Sequence, residues 1–416
     1  MSENNEIKEP LNKNNKVPKL RFKGFEEDWI IVNFYNHFTY FSTNSLSWDE
    51  LNYNSGDYLN LHYGIIHSKN SNLILSSSLP FINHDKLPKR FTLINEGDLI
   101  LADTSEDRKD AAKGIEIINK SNAHILSGLH TIHLREKAPC TIPGFKTYYV
   151  ASKSFRNFAR KYCEGIKVFS IKPSLLKYTH FAYPQNKNEQ FMIVDFFNEI
   201  DVKKSILEKK INILKKYKEG ILFKYKKEAN KNGKILKLAS ICSLISGYNF
   251  NTNDYIINGN FDIVTIRNVM DDRYIDGDYK HVNFIPKSYV KLSKGDLLIS
   301  MTGNVGRCSY VNDNNKLLNQ RLCKFECEDT NKKFIYMITK TNSFKKRMNI
   351  LAQGGAQPNL KNNDILNYIF FKIEDKLIHK NYVEAFDKTD QLLEQSKCLT
   401  KTLKRLKRIL LNQLFI

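Results

Sequence analysis

The amino-acid sequence predicts an α+β protein in which two α/β globular units are separated by two long antiparallel helices, the whole forming a pseudo-two-fold internal repeat. Three observations predict it. A chain of 416 residues exceeds one domain of roughly 150. Short motifs of the first half recur in the second, at an offset that settles near 189 residues. Each half closes on a long run of helical apolar periodicity.

Residues 1–20 are rich in Asn and Lys and predict a mobile tail. Residues 21–185 make the first unit. Within it, Glu96-Gly-Asp-Leu-Ile-Leu101 recurs later as Lys294-Gly-Asp-Leu-Leu-Ile299, in each case a Gly-Asp turn that launches a short strand. Tyr148-Tyr-Val-Ala-Ser-Lys-Ser-Phe155 recurs as Ile335-Tyr-Met-Ile-Thr-Lys-Thr-Asn-Ser-Phe344, an amphipathic helix that runs into a basic stretch. A glycine loop follows, Cys163-Glu-Gly-Ile-Lys167 in one half and Ala352-Gln-Gly-Gly-Ala-Gln-Pro358 in the other. Then comes a strand, from Tyr178 to Pro184 and from Tyr368 to Ile373.

The central helix is expected over residues 186–229. Ile193, Ile200, Leu207, Leu214 and Ile221 recur every seven residues, and Phe197 and Ile211 follow alternate members by four. That is the seam of a helix packed along a partner helix. Asn230-Lys-Asn-Gly233 reads as a stop and linker into a second unit over 230–373. The last helix is expected over 374–416, with Leu392, Leu399 and Leu406 in one row and Leu403 and Leu410 beside it.

Lys and Arg outnumber Asp and Glu by 65 to 44, a net charge of +21. Such a surplus seeks a polyanion, nucleic acid being the foremost one and an acidic membrane surface the rival. Thirteen lysines between Lys203 and Lys237 face three glutamates, more imbalance than solubility needs. No apolar run approaches the roughly 18 residues that span a bilayer, and the N-terminus is polar, so a cytoplasmic location without a membrane is expected. The seven cysteines form no CxxC pair, and Cys323 and Cys327 are four apart, the wrong spacing for a zinc knuckle. His130 and His133 lack an acid or thiol at ligand spacing, so no metal site is expected.

The chemistry of a nucleic-acid enzyme is missing from the motifs. The sequence has no glycine-rich phosphate loop ending in Lys-Ser/Thr and no Asn/Asp-Pro-Pro-Tyr/Phe motif. Its densest acids, Asp103, Glu106, Asp107 and Asp110, are interrupted by Arg108 and Lys109 and read as a polar loop rather than a metal-holding cluster. The expectation is a binding and spacing device without catalysis or a cofactor of its own. Two rivals stand beside it: a standalone nucleic-acid-modifying enzyme with an unrecognised site, and a basic scaffold whose helices bind an acidic protein.

Val17-Pro-Lys-Leu-Arg-Phe-Lys-Gly-Phe-Glu-Glu-Asp-Trp29 resembles the opening segment of the specificity (S) subunits of type I restriction–modification systems. Pro184-Gln-Asn-Lys-Asn-Glu-Gln-Phe-Met-Ile193, followed by Phe197, Ile200 and Asp201, resembles the start of that family's central conserved helix, and Lys218-Glu-Gly-Ile-Leu-Phe223 its end. The second repeat departs: Ile373-Glu-Asp-Lys-Leu-Ile-His-Lys lacks the Pro and the Glu-Gln. Leu318-Asn-Gln-Arg321 and Gln353-Gly-Gly-Ala-Gln357 resemble loops of the family's target recognition domains. The resemblance implies two such domains, each reading half of a bipartite DNA site. It implies helices that fix the spacer and dock two modification (M) subunits. The M subunits bind S-adenosylmethionine and methylate adenine. Two restriction (R) subunits join and use ATP and Mg.

Base reading needs paired donors and acceptors: Asn or Gln suits adenine and Arg suits guanine. In the second unit the candidates are Arg267, Asn268, Asn319, Gln320, Arg321, Gln353 and Gln357. In the first they are Arg108, Lys109, His130 and Lys167. Gly165, Gly354 and Gly355 are expected to let the backbone approach the duplex. Tyr63 and Tyr162 stack on bases or pack internally, the second being expected.

Overall fold

A computed structural model describes residues 17–68, 73–75, 79–118, 123–353 and 358–416. The chain divides into two units, one of residues 1–205 with 401–416 and one of residues 206–400. Both divisions fall inside the long helices, Lys187–Asn232 and Lys376–Leu414. The first helix runs further than expected. Asn230-Lys-Asn is its last turn rather than a linker, and Gly233 opens the strand Gly233–Lys237 directly. Of the expected N-terminal tail, residues 1–16 lie outside the described residues, whereas the Leu20 amide is held by the Gln413 carbonyl at 2.9 Å.

The repeated Gly-Asp motif makes the same turn twice. Gly97 takes a φ of 83° and Gly295 one of 92°, a region that disfavours any residue with a Cβ. The Asp98 carboxylate accepts the Asn95 amide at 2.8 Å, and Asp296 accepts the Ser293 amide at 2.9 Å. The strands that follow, Leu99–Ala102 and Leu297–Ser300, are buried along their whole length. Each separates two cores, so both faces of the strand must be apolar. Leu99 and Leu101 face a helical core with Phe145, Tyr148 and Phe155, while Ile100 and Ala102 join Leu59, Leu61 and Ile125. Leu297 and Ile299 likewise face Phe334 and Tyr336, while Leu298 joins Ile263, Val264 and Leu317.

Each unit therefore has one sheet against helices and a second sheet beyond it. In the first unit the doubly buried strand sits third in a five-stranded sheet, and strands Tyr58–Leu61 and His124–Ser127 begin the four-stranded one. In the second unit both sheets have four strands. The repeated helix-and-basic-stretch motif is two helices in each unit, Phe145–Ala151 with Lys153–Tyr162 and Asp329–Thr339 with Asn342–Leu351. Ser152 and Thr341 divide them, each capping the second helix through a side-chain oxygen that accepts the amide of Phe155 or Phe344.

The ends of the long helices are tied to these sheet-covering helices by a buried Tyr–Asp–Lys group, once per unit. In the first, the Tyr148 hydroxyl donates to Asp201 at 3.1 Å, and the Lys407 ammonium donates to both Asp201 oxygens at 2.6 and 2.7 Å. In the second, the Tyr336 hydroxyl donates to Asp390 at 2.9 Å, Lys218 donates to the same carboxylate, and Arg273 bonds it at 3.3 Å. Burial pushes the Lys407 ammonium below its ordinary range even though Asp201 pulls it up. Burial raises the Asp390 carboxyl, but Lys218, Tyr336 and Arg273 outweigh it and hold the group below the usual carboxylate range.

Along the helices the seam is partly as expected. Ile193, Phe197, Ile200 and Ile221 are buried, and Leu207, Ile211 and Leu214 are half-buried. On the last helix Leu392, Leu403 and Leu410 are half-buried, but Leu399 is 49% exposed and Leu406 43%. The buried row there is Phe386, Leu393, Thr400 and Leu414, with Lys407 completing the spacing of seven. Short hydroxyl residues serve this seam because they satisfy themselves. Thr400 donates to the Ser396 carbonyl at 2.8 Å, and Ser396 to the Leu392 carbonyl at 2.7 Å. A search for leucine periodicity therefore picks the outward row.

The first unit has a strap with no counterpart among the described residues of the second. Arg21 forks onto Glu189 at 2.7 and 2.8 Å, and the Trp29 indole donates to the same carboxylate at 3.2 Å. Gln190 ties down the loop above by accepting the Ile142 amide and donating to the Cys140 and Pro184 carbonyls. Ile378 stands where the repeat would place a second Glu189. The groove there, about 520 Å³ and lined by Gly220, Ile378, Tyr382 and Ala385 among others, stays open.

Replacing one partner of a buried ion pair strands the other, at about 3–5 kcal/mol. Asp201→Ala and Asp390→Ala are each expected to lower stability by that amount in urea unfolding. Asp201→Leu with Lys407→Met, which removes both charges, should cost clearly less. Losses below about 1 kcal/mol in both single variants would show the groups to be incidental.

Candidate nucleic-acid interface

In each unit three loops gather at the turn after the doubly buried strand, and backbone bonds hold them. In the first unit the Asp103 amide donates to the His130 carbonyl at 3.0 Å, and the Asp103 carbonyl accepts the Ile171 amide at 2.8 Å. In the second the Met301 amide donates to the Arg321 carbonyl at 3.0 Å, and the Met301 carbonyl accepts the Leu360 amide at 2.8 Å. Strand Thr104–Ser105 pairs with Phe169–Ser170, and Thr302 forms the matching bridge to Asn359. Because the frame uses main-chain groups, the loop side chains are left to meet a ligand.

Arg108, Lys109, His130 and Lys167 are all exposed and lie on these loops. The Arg108 guanidinium donates to the Arg160 carbonyl at 3.1 Å and lies 5.9 Å from the centre of the Phe169 ring. Arg156 braces the loop by donating to the carbonyls of Lys109, Ala111 and Ala112. Asp107 is part of the same support, accepting the Lys109 amide at 2.8 Å, so this acid shapes the turn. His130 has a φ of 55° and sets its ring against Asp103 at 3.2 Å and edge-on to Tyr63. Tyr162 stacks on Tyr178, the rings 5.2 Å apart and 7° from parallel, so it packs within the protein.

Gly165 serves another purpose than expected. At a φ of 126°, an added Cβ would lie 1.9 Å from the Val168 carbonyl oxygen. Its own hairpin requires the glycine, so close approach of a duplex is not needed to explain it.

In the second unit Arg267, Gln320, Arg321 and Gln353 are exposed. Two other candidates are structural. Asn268 is buried: its Oδ1 accepts the amide and hydroxyl of Thr265, and its Nδ2 donates to the carbonyls of Asp276 and Asp278. All four of its hydrogen-bonding positions are thus in use. Asn319 is buried too, and its Oδ1 accepts the Arg321 amide at 3.3 Å, closing the turn that presents Arg321. Gly354, Gly355 and Gln357 lie outside the described residues.

The short basic helices beside these loops were not among the candidates. Lys153, Arg160 and Lys161 lie on one, and Lys346 and Arg347 on its counterpart, all exposed. The second helix abuts the Met301–Arg307 turn, where Gly306 packs on Met348 and Phe344. The basic stretch after each repeated helix was the available signal. Among the described residues, no group of three or more His, Cys, Asp or Glu could hold a metal ion, and no helix is long and apolar enough to cross a membrane.

Residues 230–397 match the type I restriction modification DNA specificity domain. The fold of the chain is similar to that of the type I restriction–modification S subunit from M. genitalium, with a TM-score of 0.67 over 96% of this chain and 99% of that one, at 16% identity. The HsdS subunit from Thermoanaerobacter tengcongensis aligns over 93% and 96% of the two chains, at 14% identity and a TM-score of 0.37. No curated protein sequence matches. The loop clusters present exposed Arg, Lys and Gln side chains on a fixed frame.

The two kinds of side chain here separate in experiment. Arg321→Ala should change the bases accepted in one part of the target, with about 1–3 kcal/mol lost for a bidentate contact. Asn268→Ala should instead destabilise the second unit by about 1–3 kcal/mol through unpaired backbone groups and leave the target unchanged. Sequencing methylated sites alongside thermal unfolding distinguishes the two, and a changed target in the Asn268 variant would contradict the assignment.

Proposed function

We propose that this chain is the non-catalytic DNA-specificity subunit of a type I restriction–modification complex in which each unit reads one half of a bipartite double-stranded target. The long helices set the unread spacer and dock two M subunits. S-adenosylmethionine belongs to the M subunits, ATP and Mg belong to two R subunits, and the complex acts in the cytoplasm. The observation that carries the reading is the loop cluster built twice on the same backbone bonds, each time beside a basic helix. A single catalytic centre has no use for two such faces.

The outward helix rows support docking. Val202, Ile206, Ile213 and Tyr217 are exposed, follow one another by four, seven and four residues, and so share a face of the first long helix. Leu399, Leu406 and Ile409 are exposed on the last helix. Tyr217 and Leu406 occupy equivalent places in the repeat. Apolar rows standing in water on otherwise lysine-rich helices suit a surface that a partner covers.

Titrating purified chain with M subunits, S-adenosylmethionine and DNA tests this. Methyl transfer should require the M subunits, and the saturated complex should hold two of them. Tyr217→Glu and Leu406→Glu should each remove one M subunit while leaving the fold intact. Transfer by the chain alone would favour the enzyme reading, and full occupancy in both variants would refute docking through these rows.

A further inference from the structure

An apolar residue stands at the tip of the cationic face of the first unit. Ile166 is 93% exposed, with Val168 exposed beside it. They sit in a hairpin closed by two bonds between Glu164 and Ser170, at 2.9 and 2.8 Å. Its stem is fixed by the pairing of Phe169–Ser170 with Thr104–Ser105, the same pairing that assembles the candidate interface. The turn is tight enough to admit only glycine at 165. The isoleucine is therefore presented by a built element, and its β-branched side chain has little rotamer freedom.

Cations outnumber acids near the tip, and the one acid of the hairpin, Glu164, pairs with Lys172. Lys167 is its neighbour, Arg108 lies over Phe169 at the stem, and Lys109 and Arg160 are exposed close by. This charge favours a nucleic-acid occupant over an apolar protein surface. Isoleucine can neither donate nor accept a hydrogen bond, so it cannot read the polar pattern of a base edge. The apolar feature available to it in the major groove is the methyl group of thymine. We propose that Ile166 reads a thymine 5-methyl group in the half-site of the first unit, while Arg108, Lys109 and Lys167 hold the adjoining phosphates. This rests on the reading of that unit as a DNA-recognition unit.

The test uses the full chain with its M subunits and a duplex carrying its methylated target. Thymines are replaced one at a time by deoxyuridine, which lacks only the methyl group. One replacement should weaken binding about four-fold, the size of one buried methyl-sized group. The same replacement should have no effect on the Ile166→Ala complex, and Ile166→Val should keep most of the discrimination. Neutrality of every deoxyuridine replacement, or an equal loss in wild type and Ile166→Ala, overturns the proposal. So does weakened binding by Ile166→Ala when no deoxyuridine matters, because Ile166 would then act as a wedge rather than a methyl reader. Arg108→Ala separates the two levels. If it weakens binding, the unit reads DNA and only the methyl contact is at stake; if it changes neither affinity nor target, the reading of the unit itself fails.

Discussion

Two buried carboxylates, Asp201 and Asp390, hold the long helices to the sheets. Each accepts a tyrosine from a helix that covers a sheet and a lysine from the far end of the other long helix. A carboxylate can be buried only when its oxygens are satisfied, so the tie is specific in geometry as well as favourable. Asp201 and Lys218 are seventeen residues apart on the first helix, and Asp390 and Lys407 are seventeen apart on the last.

The same separation of frame from variable surface appears in the loops. Main-chain bonds from Asp103 and Met301 fix three loops per unit. Buried Asn268 and Asn319 and half-buried Arg156 complete the frame through bonds to the backbone. Among the side chains left exposed are Arg108, Lys109, Lys167, Gln320, Arg321, Gln353 and Ile166.

The repeat, the two long helices and the turn-launched strands were legible because they rest on local signals: glycine turns, heptad spacing and capping residues. The Val17–Trp29 and Glu189-Gln190 motifs prove to be two halves of one device, Arg21 and Trp29 bonded to Glu189. Nothing in their separate positions showed this, since the bonding crosses about 160 residues. The seam of the last helix was misread because Thr400, Ser396 and Lys407 do there what leucine does elsewhere. Site residues were the least legible. Asn268 and Arg321 look alike as base readers in sequence, and only burial separates them. Ile166 carries no polar signal at all.

The proposed function makes the helices a ruler between two independent readers. Seven-residue insertions, made together after Lys210 and after Leu399, keep each seam in register and lengthen both helices by about 10 Å. The measurement is the methylated target in DNA from cells that carry this variant with its M subunits. The account predicts both half-sites unchanged and a spacer longer by about three base pairs, since each pair rises about 3.4 Å. Altered bases within a half-site at constant spacer would contradict it.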